Sequence, residues 1–195
     1  MFHKLKLTYG LALILLTGML GACASPNMLH SDLSQPVTVP ESGKAMVVFM
    51  RPSSLGFPIH ASVFDDEKFV GMVPYNSKIA YMADPGTHQF MVISEAADFM
   101  KADLVAGKTY YAIVDPRMGA WRARFSLVPV HRQDINSSDV QDCIKNCQFV
   151  VNKASAPVWA DMNKPSILDK KAKYYEIWME KDESDRPYLR SEDGM

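Results

Sequence analysis

KAMVVFM, residues 44–50, is the stretch that decides the fold. Successive side chains of an extended chain point to opposite faces. Both sets are apolar here, with Ala45, Val47 and Phe49 on one side and Met46, Val48 and Met50 on the other. A strand with no face for water belongs at the centre of a sheet covered on both sides.

Outward from it, short apolar runs alternate with turn residues at close spacing: HASVF (60–64), KFVGMV (68–73), KIAYM (78–82), THQFMVI (87–93), KTYYAIV (108–114) and WRARFSLVPV (121–130). The last has the clearest period of two, with Trp121, Ala123, Phe125 and Leu127 on one face and Arg122, Arg124 and Ser126 on the other. Asp84-Pro85-Gly86 offers proline and glycine at the central positions of a type II turn, the glycine standing where φ must be positive. Residues 43–130 therefore read as an antiparallel β-sandwich, immunoglobulin-like or transthyretin-like. With the C-terminal helical extension, the chain is α+β, mainly β.

Beyond residue 130 the pattern turns helical and more polar. Ser138 with Gln141 fits a capping box, and Ser166 with Asp169 fits another ahead of ILDKKAKYYEIWMEK (167–181). In that segment Leu168, Ala172, Tyr175 and Met179 recur at helical spacing, with Ile167, Tyr174 and Trp178 on the adjoining face. The stripe is expected to pack on the sandwich. Tyr175 and Trp178 are candidates for the alternative, a partner-binding face, because aromatic residues are enriched at interfaces. Residues 131–182 form this helical extension, and 183–195 read as a charged, disordered tail.

At the other end Lys4 and Lys6 precede an uncharged run over 7–22, the n-region and h-region of an export signal. A membrane-spanning helix needs about 20 apolar residues, and this run is shorter and broken by Gly10 and Gly18. Leu20-Gly21-Ala22-Cys23 resembles the lipobox of bacterial lipoproteins. The resemblance implies cleavage of residues 1–22, a thioether-linked diacylglycerol on Cys23 and acylation of its new amino group, and two or more chains anchor stably. In Gram-negative lipoproteins an aspartate directly after the cysteine commonly causes inner-membrane retention. Ala24 stands there, so the resemblance implies an outer-membrane anchor facing the periplasm. Residues 23–42, with Pro26, Pro36 and Pro40 and no aromatic residue, read as a flexible tether reaching roughly 60 Å.

The formal net charge of −1 shows no basic excess of the kind a nucleic-acid binder carries. No phosphate loop, dinucleotide fingerprint or nucleophile elbow is present, and no cofactor is implied. Cys143 and Cys147 read as a structural disulfide in a compartment that oxidises thiols. Four residues apart in a regular helix they would suit a bridge poorly, so a local break is expected there; a zinc site has no second Cys or His pair to complete it. His60, His88 and His131 could meet acids such as Asp65, Asp66 or Asp84, but without the spacing of metal ligands. Arg51, Arg122 and Arg124 are candidates for binding an anionic polymer, against the plainer reading of a solvated strand face.

A strand running into Arg51-Pro52, a turn Pro85-Gly86 followed by His88, and Gly107-Lys108 leading into Tyr110-Tyr111 come in an order and spacing similar to an uncharacterised bacterial domain family of small secreted lipoproteins. The likeness covers approximately residues 44–130. It implies a β-sandwich and carries no catalytic residues over. Two functional expectations result. One is a non-catalytic, periplasm-facing lipoprotein that binds another envelope protein or a glycan, through Tyr175 and Trp178 or through Arg122 and Arg124. The other is an envelope hydrolase or metal-dependent enzyme with its site at strand ends near His60 and His88.

Overall fold

The computed structural model describes residues 27–30, 39–57, 59–118 and 123–195. The strands are β1 (Met28–His30), β2 (Ala45–Arg51), β3 (Ala61–Asp65), β4 (Lys68–Val73), β5 (Ser77–Ala83), β6 (Gly86–Ile93), β7 (Ala97–Leu104), β8 (Thr109–Met118), β9 (Ala123–Pro129), β10 (Gln148–Asn152) and β11 (Tyr188–Leu189). Among the described residues, two α-helices, α1 (Ser138–Asn146) and α2 (Ser155–Met179), accompany the strands. A six-stranded sheet in the order β1-β10-β5-β2-β8-β9 faces a five-stranded sheet in the order β11-β7-β6-β3-β4.

The two faces of β2 explain the layers. Ala45, Val47 and Phe49 point into the core between the sheets, among Phe90, Tyr110 and Leu127. Met46, Val48 and Met50 point outward and are covered by Val140, Cys143 and Cys147 of the α1 region. The other sheet is roofed by α2, which packs Ile167 and Trp178 on Phe64, Met91 and Phe99. The protein is thus a mainly-β sandwich with a helix on each outer face, and the second apolar face of β2 is the one α1 covers.

Several expectations need correction. Three pairings, β2 with β8, β10 with β5 and β11 with β7, are parallel, so the sheets are mixed. Each joins distant segments, which local turn signals do not report. Residues 97–104 form β7, whose Ala, Asp and Lys content hides a strand, and whose Phe99 and Met100 are both buried because both faces are covered. The extension is not purely helical, since β10 intervenes and joins the sheet. α2 begins at Ser155 rather than after Ser166 and runs through Pro165. The face it buries carries Ile167, Tyr174 and Trp178, whereas Ala172, Tyr175 and Met179 are exposed.

Within the expected tether, residues 27–30 are held to the body, and the expected disordered tail is held as well. Met28 is buried in the inter-sheet core, and β1 pairs antiparallel with β10. At the C-terminus, β11 extends the five-stranded sheet, Leu189 is fully buried, and Met195 and Thr109 exchange two backbone hydrogen bonds of 2.9 and 3.1 Å. Charge density alone misreads this segment, because Asp193 accepts from His131 and Arg132, and Arg186 donates to the carbonyls of Met179 and Lys181.

Candidate functional site

Asp65, at the end of β3, accepts hydrogen bonds from the Tyr81 hydroxyl at 2.8 Å and from His88 Nδ1 at 2.8 Å. His88 Nε2 faces the Asp84 carbonyl at 2.8 Å, and the ring stacks on Phe90. Burial and the Asp65 carboxylate hold the Tyr81 hydroxyl well above its ordinary pKa, so it stays a donor. The Tyr81–Asp65 bond ties the two sheets together, and both ring nitrogens of His88 are engaged beside it. His60 precedes β3 and lies at its other end, about 16 Å away by strand rise. The two histidines expected to share a site are not brought together. Among the described residues, no group of three or more His, Cys, Asp or Glu side chains is placed to hold a metal ion.

Arg51, 1 % exposed, is the largest buried cation. Its guanidinium lies 4.5 Å from the Phe125 ring centroid and donates to the carbonyls of Ile59 (2.7 Å), Leu55 (3.3 Å) and Val73 (3.3 Å). Burial brings its pKa down to about 10, and burial with the Arg51 charge lowers that of His60. Arg51 therefore clamps the loop from Pro52 to Ile59 and is not offered to a polymer.

Cys143 and Cys147 are within disulfide distance, with Cα atoms 4.6 Å apart. The expected break is present: α1 ends at Asn146, and Cys147 is extended. Lys78 reinforces this end by donating to the carbonyls of Cys143 and Ile144. Trp178 is 1 % exposed, with the Phe99 ring centroid at 6.0 Å and that of Tyr175 at 5.8 Å. Only Tyr175 of that candidate pair reaches solvent. The lipobox, Leu20 to Cys23, and Arg122 lie outside the described residues.

Arg124 is exposed and pairs directly with Arg117 across the β8–β9 ladder. Like charges in that position are destabilising. No carboxylate forms an ion pair with either among the described residues. β9 is an edge strand. The bond from Val130 N–H to the Tyr111 carbonyl, 3.0 Å, sets the antiparallel alternation, and this turns the backbone groups of Phe125 and Leu127 outward.

Between this edge and the C-terminal segment lies a groove of about 470 Å³, lined by Arg117, Val128, His131, Glu183, Tyr188 and Arg190 among others. Its far wall is fixed by Asp193, which accepts from His131 Nδ1 (2.9 Å) and from the backbone N–H of Arg190 (2.8 Å) and Arg132 (3.1 Å). Burial pushes the Asp193 carboxyl up, but these donors outweigh it and hold the pKa below its ordinary value. Sequence reasoning missed Arg117 and this groove. The available signal was that Arg117 and Arg124 stand equidistant from the centre of one hairpin. No protein-family model, curated protein or solved structure matches the chain.

Proposed function

We propose that the chain is a non-catalytic lipoprotein, anchored in the outer membrane through acylated Cys23 and facing the periplasm. Its β9 edge and the adjoining groove bind an anionic segment of another envelope component, protein or glycan. The observation that carries the reading is the Arg117–Arg124 pair, two unneutralised cations opposite each other on an open strand edge. An extended anionic segment relieves their repulsion and meets the outward backbone of Phe125 and Leu127. The same charges disfavour pairing of β9 with a second copy of itself. Anchoring is supported by Leu20-Gly21-Ala22-Cys23 and by the pairing of Cys143 with Cys147, which leaves Cys23 as the remaining cysteine of three.

Two measurements test the reading. Intact-mass analysis of membrane-extracted protein should show residues 1–22 absent and acyl mass on Cys23; retention of Met1 refutes the anchor. A photo-crosslinker at Val128 should capture one envelope component in cells, and the product should vanish in Arg117→Glu/Arg124→Glu. An undiminished product in that variant removes the charge argument.

A further inference from the structure

We infer that the folded domain sits directly on the bilayer, with the exposed start of α2 and the neighbouring part of β10 facing the lipid headgroups. The inference rests on the proposed acylation of Cys23. What carries it is the length of chain between that residue and the point where the body takes hold.

Asn27 follows Cys23 by four residues. Its carbonyl accepts from Lys153 N–H at 3.0 Å, and its side-chain oxygen accepts from the Ser155 hydroxyl at 3.2 Å. Directly after it, β1 pairs with β10, and Met28 is buried between the sheets. Four residues span at most about 14 Å fully extended. The headgroup layer on each side of a bilayer is itself on the order of 6 Å thick. An acylated Cys23 therefore draws the surface around Asn27 to the membrane, and the reach of roughly 60 Å expected of a free tether is lost.

Three exposed apolar side chains lie on the two elements that hold Asn27: Val151 (43 % exposed) on β10, and Val158 (56 %) and Met162 (78 %) on α2. Val151 lies opposite Leu29 in the β1–β10 register. Val158 and Met162 lie about 4.5 and 10.5 Å along the helix from Ser155, on the face turned away from buried Ala156 and Ala160. An isolated exposed apolar residue needs no explanation. Three within reach of an acyl anchor have a solvent suited to them, because apolar side chains partition into the boundary between headgroups and chains. The β9 edge is at the other side of the same sheet, five strand spacings or about 24 Å away, and so faces away from the lipid.

The test uses full-length lipidated protein whose acyl mass has been verified. Single Met162→Cys and Val128→Cys variants are labelled with bimane, since Cys23 is acylated and Cys143 and Cys147 are bridged. Each is reconstituted in vesicles of phosphatidylethanolamine and phosphatidylglycerol containing a headgroup-nitroxide lipid. Unchanged melting of both variants confirms the fold. Quenching several-fold greater at position 162 than at 128 supports the inference. Equal quenching, or none at 162, overturns it. A label at 162 shielded from aqueous iodide but not quenched by lipid also overturns it, in favour of a protein occupant. Absence of acyl mass is a separate failure, that of the anchoring reading itself.

Discussion

Replacing Trp178 by alanine separates a packing role for α2 from a recognition role. Trp178 is 1 % exposed and touches the sheet through Phe99, with Lys101 and Arg186 over its ring at 5.9 and 5.4 Å. Truncating a buried Trp costs about 3–5 kcal/mol. The indole N–H is buried without a partner, which offsets part of that burial and places the loss near about 3 kcal/mol. In a chain of this size each kcal/mol moves the midpoint by about 2–4 °C, so a drop of about 6–12 °C is expected. Tyr175 keeps one edge in water and meets Phe99 in a T-shaped contact at 5.2 Å. Tyr175→Ala should cost about 1 kcal/mol by the usual worth of an aromatic pair. Calorimetry on a soluble form lacking residues 1–23 measures both. If Trp178→Ala melts with the parent protein, the helix is not part of the core and the layer argument is wrong.

Three further outcomes follow from single contacts. Because the folded pKa of Asp193 is depressed, its stabilisation is full above the unfolded carboxylate value of about 4 and lost as pH falls through the lower folded value. The melting advantage of the parent over Asp193→Asn should therefore be full near neutrality and shrink in acid; an advantage that grows in acid contradicts the assignment. Arg51→Leu removes the donor to the Leu55 and Ile59 carbonyls, so hydrogen exchange at the Phe57 and Ile59 amides, which close turns onto Ser54 and Gly56, should accelerate; unchanged protection would show that the loop holds itself. Cys143→Ser should lower stability in urea by about 2 kcal/mol on the loop-entropy estimate, a difference that should disappear in reductant.

The parts of the fold that were legible in the sequence are those whose pattern reflects a local cause. β2 announces itself because both of its faces are apolar, and the structure supplies a cover for each. Gly86 takes the positive φ that its turn needs. Phe125 and Leu127 face the core, while Arg124 faces water. The parts that were hidden depend on distant partners. β1, β10 and β11 are short, two to five residues each, and each is paired with a segment distant in sequence. Asp193 looks like one charge in a tail until His131, far earlier in the chain, supplies its donor. The candidate site was half legible for the same reason: Arg124 was visible in the alternation, whereas Arg117 gains meaning only from the β8–β9 register.

That dependence on distant partners also gives the molecule its polarity. The six-stranded sheet has two edges, and the chain treats them differently. At one edge stands β1, which begins five residues after the cysteine proposed to hold lipid, so this edge strand and the proposed anchor draw on the same short length of chain. At the other edge β9 has no outer partner strand among the described residues, although the C-terminal segment passes close enough to wall a groove against it. That segment instead adds β11 to the five-stranded sheet, while Ser191, Asp193, Gly194 and Met195 bond to Lys108, Tyr110, His131, Arg132 and Thr109. β9, with Arg117 and Arg124 opposite each other on its ladder, is the edge to which the proposed function assigns a partner. Under the proposed acylation of Cys23, β9 is the edge five strand spacings from the anchor, and so the one turned away from the membrane.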